Sequence, residues 1–324
     1  MKILVTGGAG FIGSNFINYW LKNHPDNEIV NVDKLTYAAD TTNVDASLVN
    51  DNYSFVKGDI CDTSLMDKLV KESESVINFA AESHVDNSIQ SPEPFLRSNY
   101  FGVFSLLEAV RKYDVRFHHV STDEVYGSLS LNSTDSFNED SKYNPRNPYS
   151  ASKAAGDFLV KAYFNTYGIR ATISNCGNNF GPNQHPEKLI PKSILLALSG
   201  KTIPIYGNGK QVRDWVFVED HCVALDLILK NGKFGETYLV SSKNELNNLE
   251  LVKQILDMLS VNHSVIRFVE DRPGHDVRYS MDSRKIESQL GWRPKFSFEE
   301  ALKRTVEHYT INMNKYLGKL APST

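Results

Sequence analysis

Two short runs of residues carry side chains suited to acid–base chemistry. Tyr149 and Lys153 are four positions apart, which places both on one face of a helix. A phenol titrates near ~10 and a fixed ammonium beside it favours the phenolate, so the pair could supply a base near neutral pH. Thr122, Asp123 and Glu124 join a hydroxyl to two adjacent carboxyls that could act as an acid and a base. Since Tyr-x-x-x-Lys pairs also arise by chance in helices, this interpretation depends on the elements that hold both runs.

The predicted elements bring the two runs to one edge of a sheet. Residues 115–121 form an apolar run that predicts a strand ending just before Thr122. Pro148 stands where a first-turn proline is tolerated, and the apolar face continuing from Ala154 predicts a helix from this point. Ligands of open parallel sheets bind outside the carboxyl ends of the strands. The sequence therefore predicts that Thr122 and its neighbours line a ligand cleft.

The N-terminal residues predict a dinucleotide-binding turn. Gly7, Gly10 and Gly13 lie between a short apolar strand at residues 3–5 and a helical pattern at residues 14–21. Such glycines permit a tight bend, close approach of the backbone to a pyrophosphate and close helix–strand packing, with the anion on the helix N-terminus. A second strand ends in Asp33, 20 residues beyond Gly13, where a carboxylate accepts from a ribose 2′-hydroxyl and repels a 2′-phosphate. The combination favours NAD over NADP.

The rest of the chain predicts an α/β fold with a Rossmann-type doubly wound parallel sheet. Further strands are expected at residues 53–56, 76–79 and 171–175, and a long helix at residues 92–112. After residue 175 the pattern becomes shorter and less regular, which indicates a smaller C-terminal α+β lobe. We expect residues 1–175 to form the NAD-binding domain and residues 176–324 mainly the substrate-binding lobe, with the chain crossing between them.

Composition excludes several classes of function. The net charge of −4 comes without a long basic run, which argues against nucleic-acid binding. No apolar stretch approaches the ~18 residues of a membrane span, so no membrane partner is expected. The three cysteines lack metal-like spacing, and the N-terminus lacks the layout of a signal peptide, so a cytoplasmic location is expected. His118 and His119 are strand neighbours that point to opposite faces, and no metal site is predicted.

The glycine turn, Asp33 and the Tyr149/Lys153 pair, in this order, resemble the extended short-chain dehydrogenase/reductase family. The resemblance to its nucleotide-sugar branch runs along nearly the whole chain. Within that branch, six segments are similar to the dTDP-glucose 4,6-dehydratases: residues 80–86, 121–127, 178–182, 186–191, 212–215 and 271–276. The adjacent acids Asp123 and Glu124 are the most telling, because related 4-epimerases and decarboxylases usually lack them.

The resemblance implies an oxidation, an elimination and a reduction of the sugar. Tyr149 would take the proton of the C4 hydroxyl, which Thr122 also binds, while Lys153 lowers the tyrosine pKa and holds the nicotinamide ribose. With C4 oxidised by NAD, Glu124 would remove the now acidic C5 proton and Asp123 would protonate the leaving C6 hydroxyl. Hydride return to C6 and reprotonation of C5 would complete the reaction. Two close acids push their pKa values apart, which suits one acid and one base.

The resemblance also implies the binding residues. The NAD contacts are expected from Gly7, Gly10, Phe11, Ile12, Gly13, Asp33, Lys34, Thr36, Asp59, Ile60, Ala80, Ala81, Ser83, Asn99, Tyr149, Lys153 and Asn175, although Asp59 could equally be a helix cap. The dTDP-glucose contacts are expected from Ser83, His84, Thr122, Asp123, Glu124, Asn178, Lys188, Leu189, Pro204, Tyr206, Arg213, Asn248, Arg272 and His275. The family pairs its two long helices into a four-helix bundle, which implies a homodimer.

Three other functions remain open at this stage. An NAD-dependent nucleotide-sugar 4-epimerase needs Tyr149 and Lys153 but no acid pair. A dehydratase of UDP- or CDP-glucose would keep the mechanism and change only the base pocket. An NAD-binding regulator without turnover would not require the tyrosine and the lysine that this chain carries.

Overall fold

A seven-stranded parallel sheet forms the larger part of the protein. The computed structural model describes residues 1–46, 48–49 and 51–320. The sheet has the strand order β10-β6-β5-β4-β1-β2-β3. Its strands are β1 Lys2–Thr6, β2 Glu28–Asp33, β3 Tyr53–Lys57, β4 Ser75–Asn78, β5 Arg116–Thr122, β6 Ala171–Cys176 and β10 Thr237–Val240. The order reverses between β1 and β4, so the ligand cleft of such a fold is expected beside these two strands.

Helices cover both faces of this sheet. On one face α1 packs against α8, and on the other α5 packs against both α2 and α6. Alternation along β1 feeds both cores, because Leu4 joins the cluster under α2, α5 and α6 while Ile3 and Val5 join the cluster under α1 and α8. The helices are α1 Phe11–Asn23, α2 Thr63–Lys71, α3 Val85–Gln90, α4 Glu93–Leu96, α5 Val103–Tyr113, α6 Pro148–Tyr167, α7 Leu189–Leu198, α8 Val218–Asn231, α9 Asn248–Met258, α10 Arg284–Leu290, α11 Phe298–Ile311 and α12 Met313–Leu317. Among the described residues, none of these helices combines the length and the apolar character needed to span a membrane.

The remaining strands form two small sheets in a separate α+β layer. One has the order β11-β9-β7 and the other pairs β12 with β8. These strands are β7 Asn178–Phe180, β8 Ile203–Tyr206, β9 Val212–Phe217, β11 Glu245–Asn247 and β12 Ile266–Val269. Helices α7, α9 and α11 pack on one another through a core that includes Ile194, Leu251 and Leu302. The predicted fold class, a doubly wound parallel sheet with a smaller α+β lobe, is confirmed.

The structure differs from the prediction in two places that affect the cleft. The seventh strand, β10, comes from the later part of the chain and pairs with β6, so the large sheet is not completed by the first 175 residues. The helix expected at residues 92–112 is interrupted by a π-helical stretch, Arg97–Gly102. Within that stretch Asn99 turns inward and donates to Ser152 Oγ at 2.9 Å, an anchor that apolar periodicity does not reveal.

Two buried histidines make the fold sensitive to acid. His118 on β5 contacts Thr172 Oγ1 at 2.9 Å and Ser174 Oγ at 3.0 Å, and His221 on α8 contacts Asn179 Oδ1 at 2.9 Å. Burial lowers the pKa of each imidazole from 6.5 to about 3. Between these values the unfolded chain binds protons that the folded chain excludes. Stability is therefore full above about pH 6.5 and falls by about 1.4 kcal/mol per pH unit for each histidine as the pH decreases.

We expect His118→Gln to weaken this dependence on pH. The variant removes one group that titrates only after unfolding, so its loss of stability between about pH 7.5 and about pH 5.5 should be smaller by about 1.4 kcal/mol. Urea unfolding of both proteins at the two pH values measures the difference. His263→Gln, at an exposed position beside Asp257, is the control and should follow the unmodified protein. Equal losses in all three proteins would contradict the assignment.

Candidate active site

A cleft of about 300 Å³ runs across the carboxyl ends of the strands of the large sheet. It brings together most of the residues predicted to bind the cofactor. Those that line it are Gly7, Gly10, Phe11, Ile12, Gly13, Asp33, Lys34, Thr36, Asp59, Ile60, Ala80, Ala81, Ser83, Tyr149 and Lys153. Among the described residues, no group of three or more His, Cys, Asp and Glu side chains could hold a metal ion.

The glycine turn is shaped for close approach. Gly7 has φ +71°, and a Cβ built there would lie 2.6 Å from the backbone nitrogen of Ala80. A Cβ on Gly13 would lie 2.4 Å from the carbonyl oxygen of Gly7. The Asp33 carboxylate at the end of β2 accepts hydrogen bonds from the backbone nitrogens of Ala9 and Leu35, at 3.0 and 2.8 Å. A cradle of bare backbone with an acid fixed beside it fits a dinucleotide with a free ribose.

The loop of residues 34–44 lies over this turn and is held from distant parts of the chain. The Asp40 backbone nitrogen donates to the carbonyl of Ala9 at 2.9 Å. Its carboxylate contacts Lys319 Nζ at 2.5 Å, and Lys315 Nζ donates to Asn43 Oδ1 at 3.1 Å. These lysines follow α11 at the end of the described chain, so α12 and the residues after it hold this wall of the cleft in place.

Three predicted cofactor residues have side-chain partners that clarify their roles. Asp59 lines the cleft and pairs with Lys34 Nζ at 2.7 Å, while α2 is capped by Asp62, so the alternative of Asp59 as the helix cap is wrong. The side chains of Asn99 and Asn175 are fully buried behind the cleft. Asn99 bridges the backbone of Glu82 to α6, and Asn175 donates to the carbonyl of Thr122 at 3.0 Å. Both therefore support the walls of the cleft.

We expect Gly7→Ala to lose bound NAD. The new Cβ would meet the backbone of Ala80, which cannot move without displacing the end of β4. The measurement is the NAD released per chain on denaturation of the purified protein. It is expected to fall below about one tenth of the amount released by the unmodified protein, since each ~1.4 kcal/mol that the clash costs weakens binding about tenfold. Gly168→Ala is the matched control, because its φ of +68° is similar but nothing lies within 4 Å of a new Cβ. That control should lose only about 1 kcal/mol of stability and keep its NAD; equal NAD contents in both variants would contradict the close approach.

The acid pair lies immediately after β5. Thr122 is the last strand residue, and its Oγ1 donates to Asp123 Oδ1 at 3.1 Å and accepts from the backbone nitrogen of Glu124 at 3.3 Å. Both acids belong to a 3₁₀ turn, Asp123–Tyr126, of which they are the first two residues. Asp123 is only 2% exposed, whereas Glu124 is half-buried at the edge of the cleft. The adjacent acids therefore have different environments.

These environments separate the protonation states of the two acids. Burial, followed by the Glu124 charge, raises the pKa of Asp123 well above its ordinary value. Burial also raises the pKa of Glu124, but Arg272, Asn147 and Arg213 oppose this effect. Asp123 is therefore the better acid of the pair and Glu124 the better base.

Tyr149 and Lys153 lie on the first turns of α6, facing the strand ends. Lys153 Nζ donates to the carbonyl of Val120 at 2.8 Å, which fixes the ammonium against β5. Burial and the Glu124 charge raise the pKa of Tyr149 well above its ordinary value, and the Thr122 hydroxyl offsets only part of this. The chain by itself therefore does not favour the phenolate as expected, because burial and the neighbouring carboxyl charges outweigh the hydrogen bond from Thr122.

A buried residue that the sequence analysis did not single out ties this helix to the strands. Asp157 is fully buried on α6, one turn beyond Lys153. Its Oδ2 accepts from Ser121 Oγ at 2.9 Å, from Tyr143 OH at 2.9 Å and from Asn175 Nδ2 at 3.2 Å. It is also the first charge that opposes the lowering of the Lys153 pKa by burial. Its position, four residues after Lys153 on the same helical face, is the signal that could have identified it.

The predicted substrate residues fall into two groups. One group extends the cleft beyond the acid pair: Ser83, Asn178 and Lys188 line it, and Lys188 Nζ donates to the carbonyl of Ser83 at 3.0 Å. The Asn178 Oδ1 atom is buried and has no hydrogen-bond partner among the described residues. His84 lies beside this group, with Nδ1 3.9 Å from Glu187 Oε2.

The second group is organised by Asp86, which was not assigned from the sequence. Arg272 Nη1 and Tyr206 OH donate to its two oxygens at 3.2 and 3.1 Å, and the His275 ring lies edge-on to Tyr206. Arg213 stacks on Tyr279 with its guanidinium carbon 4.4 Å from the ring centre. Cationic side chains thus converge near the acid pair, as a diphosphate requires. The other predicted contacts lie at element boundaries of the small lobe: Leu189 begins α7, Pro204 is in β8 and Asn248 begins α9.

Together, the fold and the site define an extended short-chain dehydrogenase/reductase. A glycine turn after β1 forms one end of the cleft, and the Tyr149/Lys153 pair and the strand-end hydroxyl of Thr122 lie at the other. The small α+β lobe adds cationic side chains beside them.

Comparison with known proteins specifies the family. The family model described as GDP-mannose 4,6 dehydratase matches residues 4–305, and the chain belongs to this family. A dTDP-glucose 4,6-dehydratase from Mycobacterium tuberculosis is 48% identical over 96% of this chain and 94% of the relative. The solved structure of DesIV, a dTDP-glucose 4,6-dehydratase from Streptomyces venezuelae with NAD and TYD bound, is 44% identical, with a TM-score of 0.96 over 99% of this chain and 100% of that chain.

A related enzyme of different activity shares the fold at lower identity. The UDP-glucose 4-epimerase of Thermotoga maritima, solved with UDP-glucose, is 28% identical with a TM-score of 0.89 over 97% of this chain and 100% of that chain. The fold alone therefore does not separate elimination from epimerisation, and the acid pair has to carry that distinction.

Proposed function

We infer that this protein catalyses the NAD-dependent dehydration of dTDP-glucose to dTDP-4-keto-6-deoxyglucose, which makes it a hydro-lyase. The observation that carries the inference is the pair Asp123 and Glu124. Burial raises the pKa of the enclosed Asp123 strongly, whereas arginines oppose the same effect on the pKa of Glu124 at the edge of the cleft. A 4-epimerase eliminates no water, so it does not require two carboxyl groups in addition to the tyrosine. The similarity to dTDP-glucose 4,6-dehydratases over nearly the whole chain supports the same reaction and the same cofactor.

Each residue role follows from its surroundings. NAD would supply the oxidant for C4 and the reductant for C6, and the positive charge of its oxidised ring would favour the phenolate of Tyr149. We propose that Tyr149 accepts the proton of the C4 hydroxyl and that Thr122 orients this hydroxyl. Lys153, fixed on Val120, would hold the nicotinamide ribose. A positioned acid or base contributes about 100- to 10,000-fold in rate.

The acid pair would perform the elimination. Once C4 is a ketone, the C5 proton is acidic and Glu124 at the cleft edge is placed to remove it. Burial raises the pKa of Asp123, which would act as the acid and deliver a proton to the C6 hydroxyl, which leaves as water. Glu124 would then return its proton to C5. The proton that Tyr149 took from the C4 hydroxyl would replace the one given up by Asp123, so all three groups end the cycle in their starting states. Arg213 and Arg272 would neutralise the diphosphate of the substrate.

The test is mass spectrometry of dTDP-glucose, UDP-glucose and CDP-glucose after incubation with the purified protein, with and without added NAD. Loss of one water from dTDP-glucose is expected. Loss from only another nucleotide would keep the mechanism and overturn the substrate. Conversion to a C4 epimer of unchanged mass, detected by chromatography, would overturn the elimination in favour of a 4-epimerase. No conversion in any incubation would leave binding without turnover, as in a regulator.

We further propose that the protein is a homodimer joined by a four-helix bundle. Large apolar side chains are exposed along one surface of α4, the π-helical stretch and α5, and on α6, which packs against them. They are Leu96, Phe101, Phe104 and Phe158, with Phe101 57% and Phe158 56% exposed. Exposed aromatic side chains clustered on two adjacent helices are typical of a protein interface.

The mass in solution tests this interface. Light scattering coupled to size-exclusion chromatography should give about twice the chain mass of 36.5 kDa. Phe101→Glu combined with Phe158→Glu should give the mass of one chain. Phe268→Glu is the matched control, since that phenylalanine is 58% exposed on β12, away from these helices. A single-chain mass for the unmodified protein would overturn the dimer.

Two coarser proposals complete the description. We propose that residues 1–175 mainly bind NAD and residues 176–324 mainly bind the nucleotide sugar, a division supported by the position of the glycine turn in the first part and of Arg213 and Arg272 in the second. We also propose a cytoplasmic location, supported by three unpaired cysteines, Cys61, Cys176 and Cys222, which suit a reducing compartment.

A further inference from the structure

Asn147 holds two parts of the active site at once. It is the N-cap of α6, and its Oδ1 accepts from the backbone nitrogen of Ser150 at 2.8 Å. Ser150 Oγ accepts in return from the backbone nitrogen of Asn147 at 3.2 Å, which completes a capping box. Asn147 is only 8% exposed, so this cap is enclosed by protein. The cap fixes the start of the helix that carries Tyr149 and Lys153.

The second amide group of Asn147 points to the proposed C5 base. Since Oδ1 must face the backbone nitrogen of Ser150, Nδ2 points away from the helix cap, and it donates to Glu124 Oε2 at 3.3 Å. Among the described residues this is the one side-chain hydrogen bond to the Glu124 carboxylate. The loop before Asn147 is also joined to the turn that carries the acid pair, because the backbone nitrogen of Asn144 donates to the carbonyl of Val125 at 2.9 Å.

The charges around Glu124 show why a neutral donor matters there. Arg272 and Arg213 favour the ionised carboxylate, whereas Asp276 opposes it. Asp123 lies next to it in the chain, and the phenols of Tyr149 and Tyr279 also face it. Both arginines would be engaged by the diphosphate of a bound substrate, so their support for the carboxylate weakens when the base is needed. The amide of Asn147 stays committed to Glu124, because its other end is fixed in the helix cap.

We propose that Asn147 is a positioning residue that holds Glu124 as an ionised base and keeps it in register with the helix of Tyr149 and Lys153. This rests on the proposed function, because it gives Asn147 a role in the C5 step. A donor to the carboxylate favours its ionised form and fixes its direction. Because Asn147 contacts both the start of α6 and Glu124, it also couples the position of the Glu124 carboxylate to that of Tyr149 and Lys153.

Two variants separate this role from helix capping. Asn147→Ser and Asn147→Asp both keep an acceptor at the N-cap, and caps of these types differ little in stability. Serine is too short to cap and also reach Glu124, and aspartate adds a like charge in place of the donor. Asn262→Ser is the matched control. Asn262 caps the turn His263–Val265 far from the cleft, and its Oδ1 likewise accepts a backbone hydrogen bond, from the nitrogen of Ser264 at 2.8 Å.

The readout is the rate of C5 hydrogen exchange with deuterated solvent, followed by mass spectrometry across a range of pH. For Asn147→Ser we expect exchange at neutral pH to slow by about tenfold, on the scale of a hydrogen bond to a charged group. The pH–rate profile of exchange should shift to higher pH by about one unit, because loss of the donor raises the pKa of Glu124. Asn147→Asp should slow exchange further. In a single turnover, C4 oxidation should keep its rate in Asn147→Ser, which a general disruption of α6 would not allow.

The outcomes distinguish this proposal from the proposed function. If the unmodified protein exchanges C5 but Asn147→Ser shows the same rate and the same pH dependence, the role of Asn147 is overturned and the dehydration stands. If C4 oxidation slows as much as exchange, Asn147 acts only through the helix and the proposal is again overturned. If the unmodified protein exchanges no C5 hydrogen, the proposed function fails and the role of Asn147 fails with it.

Discussion

Replacing Glu124 by glutamine is expected to lower turnover by about 100- to 10,000-fold, the range for loss of a positioned base. The amide keeps the size of the side chain and its place beside Asn147 but cannot remove the C5 proton. Oxidation at C4 precedes that step, so reduced nicotinamide should accumulate and remain on the protein. Its absorbance during a single turnover with dTDP-glucose, together with the yield of dehydrated product, measures the block.

Asp123→Asn provides the comparison for this block. It removes the acid while leaving the base, so C5 should exchange with deuterated solvent but the C6 hydroxyl should stay in place. The two variants therefore stop the same reaction at different atoms. A Glu124→Gln protein that still exchanged C5 would show that another group is the base, and the assignment of roles within the acid pair would be wrong.

Tyr149→Phe should stop the reaction one step earlier and at least as strongly. The ring and its contact with Phe95 remain, but no group accepts the proton of the C4 hydroxyl. We expect neither reduced nicotinamide nor C5 exchange, with a fall in turnover of about 100- to 10,000-fold. The pair of readouts used for Glu124→Gln distinguishes the two positions, because only the glutamate variant should accumulate the reduced cofactor.

Tyr126→Phe is the matched control for the loss of a buried phenol. Tyr126 is 2% exposed at the end of the turn that carries the acid pair, and its hydroxyl donates to Asn175 Oδ1 at 3.4 Å. Its removal should cost about 1 kcal/mol of stability and leave turnover near that of the unmodified protein. If Tyr149→Phe kept its turnover while Tyr126→Phe lost it, the base would have to be sought at Tyr126.

Local sequence signals were sufficient for the parts of the site that are encoded within one element. The spacing of Tyr149 and Lys153 and of the glycines Gly7, Gly10 and Gly13 follows from the helix repeat and from one turn. These residues lie where the sequence analysis expected them. The six predicted strands were confirmed for the same reason, since each buried apolar run carries its own pattern.

Residues whose role depends on a distant partner could not be predicted in this way. Asp157 is defined by contacts with β5, with β6 and with the loop before α6, and Asp86 by Arg272, which is 186 positions away. Burial and a carboxylate from another element raise the pKa of Tyr149, so the helical spacing with Lys153 indicated the wrong direction for it. Strand β10 pairs with β6 across the intervening small lobe, and its four residues carry too little pattern to separate it from a loop.

The wall of the cleft formed by residues 34–44 has a consequence for how the protein is made. Its anchors are Ala9, at the start of the chain, and Lys315 and Lys319, which a ribosome adds last among the described residues. While translation continues, the glycine turn can fold, but its covering loop lacks the contacts from Lys315 and Lys319. Firm uptake of NAD therefore has to wait until these two lysines have left the ribosome, and earlier intermediates would reach the cell's quality-control machinery without that ligand to stabilise them.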